Sequence, residues 1–582
     1  MSLPQPAHRA SAQEKRWFWW ITVCALVVLG AGIGLRDPWP SDEPRFTLVA
    51  KQMVESGEWL FPHRGSELYS DKPPMLMWLE AIFYQLTGNW RVAFLLPSLL
   101  AGLGTLALTY DLGRRLWNPR VGLFAAGLLL ATFQFVYQVK RAQIDPLVMF
   151  LITLGNWGLL LHLLRGPNWR AYWLGCFAAG LGVITKGVGV IALLMLLPYL
   201  LARRRQWPGL VVTSASASGW RWAGGALAFF GAIALWLVPM AVAATLRGTP
   251  EYLAYMNDIL FHQTAKRYGG SVGGHAQPYW YFVPVLLFHF FPLSLVYASA
   301  ARDWYRGLRQ ADARLLLLLS WCALVFVFFS IAGGKREVYL MPMLPLLAVA
   351  LAPTVQRIVG APWLRGLALA CAVLAGCALV AAGAWALQGQ WTSMNTMAAE
   401  RELADGGRWL WTMMLCMGAL FLVCAAVGRL RHGVQALLAG MASFWLVWGV
   451  WASVLLNDAN SAAGVMRRAG QIAGPTAQIG MVAWKEQNLL MADRKMQDFG
   501  FRTPTSVQFA AATRWQAQQP EERWIFSLRE AVSACVDKDK VTIAGYSNRR
   551  QWWMFRSDAV LANCVPEFDA REKKTDSEEE TN

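Results

Sequence analysis

Residues 315–353 read "LLLLLSWCALVFVFFSIAGGKREVYLMPMLPLLAVALAP". Two apolar runs, each close to the roughly 20 residues a membrane-spanning helix needs, flank a short break that carries Lys335, Arg336 and Glu337. A lipid-exposed loop or open strand cannot satisfy its backbone inside a bilayer, so two spanning helices joined by a polar turn is the reading that fits. The same pattern recurs outward in both directions. Thirteen spans are expected, at 17–35, 79–112 (its first half either spanning or interfacial), 121–139, 145–164, 171–186, 188–202, 222–246, 279–299, 314–332, 338–356, 364–387, 409–428 and 434–456. Lys186 marks either a break between two short helices or a point within one bent helix. Of the 582 residues, 56% are hydrophobic and only 15% are charged, against roughly a quarter in soluble domains. The expected fold class is mostly α, a polytopic membrane protein of about thirteen transmembrane helices with a small α/β domain after the last.

The net charge of +17 has an explanation that needs no nucleic acid. With the N-terminus inside, alternate connections hold Arg114, Arg115 and Arg120, then Arg165 and Arg170, then Arg203 to Arg205, then Arg302, Arg306 and Arg309, then Arg357 and Arg365, then Arg429 and Arg431. That is the positive-inside pattern, and an odd number of spans then sends everything after residue 456 to the outer face. The first run is too long for a cleaved signal and lacks a small-residue cleavage site, so it reads as an anchor.

Three outer segments stand out by length, at 36–78, 247–278 and 457–582. In the first, "SDEPRFTLVAKQM" (41–53) sets Ser41 as an N-cap, Pro44 early in a helix, and Phe46, Val49, Ala50 and Met53 on one face. An amphipathic helix over 43–55, lying on the membrane surface and ended by Gly57, is expected. The expected organisation is a membrane domain over 1–456, a soluble α/β domain over 457–570, and a charged disordered tail over 571–582. Cys535 and Cys564 lie in the exported part, where a bridge between them is permitted; the other seven cysteines read as small apolar residues in helices.

Cations on the outer side run against the topology rule and need another reason. Arg45, Lys72, Lys140, Arg141, Lys186, Arg267, Lys335 and Arg336 fall at outer helix ends, where together they suit an anionic group such as phosphate. Singly, each reads equally as a side chain reaching to lipid headgroups. Asp42 and Glu43 either complement the dipole of a helix start or form, with Asp145, the acids of a polar cleft. Asp145 reads also as an N-cap. His275, Tyr279 and Tyr339 suit sugar or phosphate oxygens, or an aromatic belt. Lys485, Glu486 and Arg549 suit contact with an acceptor, but read first as a solvated charged face. There is no metal-ligand spacing, no phosphate loop and no serine nucleophile elbow, so no metal and no cofactor is expected.

In order, "DEPRF", "DKPPMLMW", "RAQIDP", "GVITKGV", "HAQPYWYF" and "FFSIAGGKREVYLMPMLP" resemble the membrane glycosyltransferases of the GT-C fold, most of all the lipid A aminoarabinose transferase group within the wider protein O-mannosyltransferase family. The resemblance covers about residues 36–350 and extends weakly to "MVAWKEQNLL" and "NRRQWWMF". It implies a periplasmic cleft in a bacterial inner membrane, a polyprenyl-phosphate-linked sugar as donor, and lipid A or another exported molecule as acceptor. Asp42 matches the family's acid of the first periplasmic loop and Asp145 its second acid. Lys72 matches the donor-phosphate lysine, Lys186 the lysine of "TKG", Tyr339 the tyrosine beside the phosphate, and Arg267 the arginine of a mobile loop. Phe46 stands where a tyrosine is usual, and "GGKREVY" carries an extra base and acid. Transfer to a protein hydroxyl or another glycan is the second reading. A lipid or solute transporter is the third, disfavoured because no internal repeat is present and the charges gather at one membrane face.

Overall fold

The computed structural model describes residues 11–212, 215–262, 277–562 and 564–566. The loop residues Arg267 and His275 and the tail at 571–582 lie outside them. Among the described residues, eight helices are long and apolar enough to cross a membrane, starting at Trp90, Ile144, Ser218, Ala313, Glu337, Pro362, Asp405 and Leu430. Two bent pairs raise the number to ten: Pro119–Ala131 with Phe133–Val139, bent by 68°, and Phe282–His289 with Leu293–Arg309, bent by 95°. The bends have chemical causes. Thr132 is extended and the Phe133 N–H leaves its own helix to donate to the Phe291 carbonyl (2.9 Å), while Pro292 has no N–H to give.

Three expected spans are not among these ten. The helix α1 (Ala12–Gly30) carries Glu14, Lys15 and Arg16 at its start. Trp169–Lys186 ends at Gly187, whose φ of 82° stops it, and Gly189–Met195 resumes as a tight 3₁₀ helix leading into Leu196–Arg204. Lys186 therefore closes one helix at a break. The span expected at 79–112 is likewise divided, because Gly88 ends α3 (Met75–Thr87) and the crossing begins at Trp90.

The helix expected over 43–55 forms as α2 (Glu43–Ser56), closed by Gly57 with φ 74°. Its N-cap is Asp42 and not Ser41, and Asp42 makes no side-chain capping bond, which leaves that carboxylate available. Nor does α2 lie on a surface. Phe46, Val49, Ala50 and Met53 enter the main helical core, while Leu48 enters a second core built by residues beyond 463. Burying such side chains is favourable by about 1.5–3 kcal/mol each, so α2 is held from both sides.

That second core belongs to a five-stranded sheet in the order β4-β3-β5-β7-β6. Strands β3 (Gln478–Val482), β4 (Gln497–Asp498) and β5 (Arg523–Leu528) run parallel; β7 (Arg550–Phe555) is antiparallel to β5 and to β6 (Thr542–Ser547). The helices Glu486–Leu490 and Thr505–Ala517 lie in the connections from β3 to β4 and from β4 to β5, the crossovers that put both strands parallel to β3. Phe526 and Trp552 stack in the core at 4.9 Å. Cys535 is disulfide-bonded to Cys564, with Cα atoms 5.3 Å apart. A short hairpin, β1 (His63–Arg64) with β2 (Glu67–Leu68), lies between α2 and α3.

Candidate active site

The start of α2 is fixed by a buried brace. Glu43, 1% exposed, takes both terminal nitrogens of Arg36 on its two oxygens, and accepts from the Trp39 N–H (2.8 Å) and the Ala142 N–H (3.0 Å). Burial alone pushes this carboxyl up, but Arg36, Arg141 and the Trp39 amide together hold it below its ordinary value. Its lone pairs are occupied, so Glu43 is a positioning residue whose bond to Ala142 joins α2 to the connection that ends at Asp145. Arg36 is not among the cations that the sequence marks as candidates. Only its partner, seven residues on, reveals its role.

Asp42 turns the other way. Its Oδ1 lies 3.8 Å from Arg45, and Arg45 reaches over to Glu486, at 3.0 Å. Glu486 also meets Arg64 (3.4 Å), Arg64 meets Asp71 (3.5 Å), and Asp71 pairs with Arg502. The chain of charges ties α2 and the "SDKPP" loop to the helix Glu486–Leu490. Burial raises Glu486 and Asp71, but the arginines around them more than offset it, and both carboxyls sit below their ordinary values. Glu486 is buried, so the solvated face expected there is corrected: its neighbours Arg45 and Arg64 come from hundreds of residues away, beyond the reach of local reading. Arg549 does lie on an exposed surface, 3.6 Å from Glu400. Lys72, half-buried, follows Asp71 directly and adds to the field that lowers it.

A second cluster joins three helices. Asp145, in the first turn of Ile144–Arg165, receives Lys186 at 2.5 Å, and the Lys186 ammonium stands 5.3 Å from the ring centre of Tyr339. The cap of that helix is Gln143, so Asp145 is spared the role of N-cap. Nearby in sequence, Lys335 is buried and donates to the carbonyls of Gln277 (2.9 Å) and Ala332 (2.7 Å). Arg336 has a buried Nε with no hydrogen-bond partner among the described residues, a donor without an acceptor. Arg141 donates to the Tyr137 hydroxyl (3.0 Å), while Tyr279 is exposed. Phe46 is 3% exposed in the helical core, so the missing hydroxyl at that position is a matter of packing.

The structure thus brings Asp42, Glu43, Arg45 and Arg141 to one corner, and Asp145, Lys186 and Tyr339 to another, with the Glu43–Ala142 bond between them. Arg36, Arg64, Asp71 and Glu486 complete the frame; neither type nor spacing distinguishes Arg36, Arg64 or Asp71 in the sequence.

Residues 71–236 match the family model described as dolichyl-phosphate-mannose-protein mannosyltransferase. An undecaprenyl phosphate-alpha-4-amino-4-deoxy-L-arabinose arabinosyl transferase of Pseudomonas aeruginosa is 31% identical over 350 residues, 58% of this chain and 60% of that protein. The corresponding transferase of Pseudomonas paraeruginosa is 29% identical over 72% of each chain. The chain spans about three fifths of the length of the curated relatives it matches first. The crystal structure of ArnT from Cupriavidus metallidurans bound to undecaprenyl phosphate superposes with a TM-score of 0.74 at 19% identity, covering 94% of this chain and 98% of that one. The chain has the fold of that structure, the GT-C fold, and is similar in sequence to the aminoarabinose transferases and, over 71–236, to the protein mannosyltransferases.

Proposed function

We propose that the chain is a membrane glycosyltransferase that moves a sugar, an amino sugar such as 4-amino-4-deoxy-L-arabinose, from undecaprenyl phosphate to a phosphate of lipid A at the periplasmic face. The observation that carries the reading is the Asp145–Lys186–Tyr339 cluster together with the unpartnered Arg336 Nε: cations and donors gathered at helix ends where an anionic lipid headgroup arrives. The likeness in fold and sequence to transferases named for undecaprenyl phosphate-linked aminoarabinose supports it.

In this reading the acceptor phosphate oxygen attacks the anomeric carbon, and the bond from that carbon to the polyprenyl phosphate breaks with its electron pair on the phosphate. Negative charge therefore grows on the leaving group as the bond opens. Lys72, Lys186, Arg336 and Lys335, with Arg267 from the loop outside the described residues, favour that state over the bound substrate. The single displacement inverts the anomeric carbon. An acceptor phosphate is already anionic and gives up no proton, so Asp42 and Asp145 hold the sugar and pair with its amino group. His275 is assigned to the same sugar-binding group. If a hydroxyl were the acceptor, Asp42 would take its proton.

All thirteen apolar segments cross the membrane in this proposal, the N-terminus is cytoplasmic, and the soluble unit over 457–570 stands in the periplasm. The test is turnover by purified protein given the polyprenyl-linked amino sugar and lipid A, read as release of undecaprenyl phosphate. Lys186→Met, which removes a charge and keeps the volume, is expected to lower turnover by about 10²-fold or more. Unchanged turnover in that variant would remove Lys186 from the leaving-group site, and no turnover by the unaltered protein would reject the donor.

A further inference from the structure

A cavity with an unbalanced charge lies apart from the Asp145–Lys186 cluster. A space of about 280 Å³ opens between the end of α1, the loop 31–43, the 137–141 corner and the helices around 445–460. Its lining includes four cations, Arg36, Lys140, Arg141 and Arg401, against one carboxylate, Glu43. Glu43 is already matched by Arg36. Among the described residues, neither Lys140 nor Arg141 nor Arg401 has a carboxylate within ion-pair distance. Lys140 instead donates to the carbonyls of Val28 (2.9 Å) and Ala31 (2.6 Å), and Arg401 donates to Asn460 at 2.5 Å while its buried Nε has no partner among the described residues.

Lys140, Arg141 and Arg401 are half-buried, and an excess of positive charge partly withdrawn from water is costly unless something negative joins it. The rest of the lining says what kind of molecule. Leu29, Leu95, Val139, Trp445, Trp448 and Leu456 give it an apolar component, and two of the bounding helices are membrane segments. The volume sits at the low end of the roughly 300–1,000 Å³ of small-ligand sites, room for a headgroup but not for a whole lipid. We infer that this cavity seats a phosphate group of an amphiphile, a second lipid-phosphate site apart from the Lys186 cluster. The inference rests on the proposed transferase reading only for the lipid's identity: the acceptor, lipid A, is the occupant we assign, and bulk anionic phospholipid carries the same chemistry.

Native mass spectrometry of the full chain in detergent separates the cases, with bisphosphorylated lipid A, phosphatidylglycerol and undecaprenyl phosphate as three separate probes. Arg401→Gln keeps a donor for Asn460 and loses the charge; Arg141→Gln is the second variant, should the first misfold. Retention of lipid A is expected to weaken about tenfold in either variant, the loss of one charge-assisted contact. Retention of undecaprenyl phosphate by Arg401→Gln is expected to be unchanged. Loss confined to phosphatidylglycerol would keep the phosphate site and overturn lipid A as its occupant. Equal retention of both lipids by both folded variants would overturn the site, whereas failure of the unaltered protein to hold undecaprenyl phosphate would count against the transferase reading alone.

Discussion

Asp42 and Glu43 are adjacent acids with opposite surroundings, and their substitutions should separate cleanly. Glu43 is enclosed by Arg36 and two backbone amides, so Glu43→Gln leaves a buried guanidinium without its counter-charge, a loss of about 3–5 kcal/mol. Thermal unfolding in detergent should show a lower transition, with turnover falling in step with the folded fraction. Asp42 makes no capping bond and faces one arginine at 3.8 Å, so Asp42→Asn should unfold like the parent and lose turnover by about 10²-fold or more. Equal unfolding losses for both would refute this division of roles. Lys140 offers a pH test of the cavity. Burial first, then the field of Arg36, brings its ammonium down to about 7, with Arg141, Arg401 and Glu43 the other charged groups around the same space. Below that pH Lys140 is charged and favours an anion; above it the charge is lost. Retention of lipid A should therefore weaken between about pH 6 and 8. A flat profile would remove Lys140 from the phosphate site.

At the scale of elements, α2 is a hinge pin between two cores, and the charges along it fasten the soluble unit. The chain from Asp42 through Arg45, Glu486 and Arg64 to Asp71 spans parts of the sequence more than 400 residues apart. Glu486 and Asp71 lie below their ordinary values of 4.5 and 3.8, so their contribution is present in full above about pH 4.5 and is lost as the pH falls further. Protection from hydrogen exchange at Glu486–Leu490, taken relative to the intrinsic amide rate at each pH, should fall on acidification through that window and already be low at neutral pH in Glu486→Gln. Exchange unaffected by either would mean that apolar contacts such as Leu48 hold the unit without the charges.

What could be read from the sequence follows from how far each signal reaches. The apolar runs, the left-handed Gly57 that ends α2, and the cations at span ends are local features, and local chemistry makes them legible. Glu486 looked solvated because Arg45 and Arg64 lie far away in the chain. Arg36 carries no signal of its role in the sequence, because its partner Glu43 stands seven residues on and turns inward only in the fold. Ser41 looked like the cap because Ser and Asp are equally good at that task, and the choice between them is made by tertiary packing.

For the whole molecule, the disulfide offers a compact check on the compartment proposed for the soluble unit. Of nine cysteines, Cys535 and Cys564 are joined, so protein purified without reductant should present seven thiols to a denaturing label and nine after reduction. In the loop-entropy account a closure of this size stabilises by about 3–4 kcal/mol, and the Cys564→Ser variant should unfold at lower temperature. Nine thiols before reduction would place the unit in a reducing compartment.

The central claim is the transfer itself, and the mass of lipid A tests it most directly. The chain would be expressed in a strain that makes the polyprenyl-linked amino sugar but lacks its own lipid A phosphate-modifying transferases, beside Asp42→Asn. A lipid A species heavier by one amino sugar is expected with the unaltered chain and absent with the variant. Unchanged lipid A, with the protein folded in the membrane and the donor present, would contradict it.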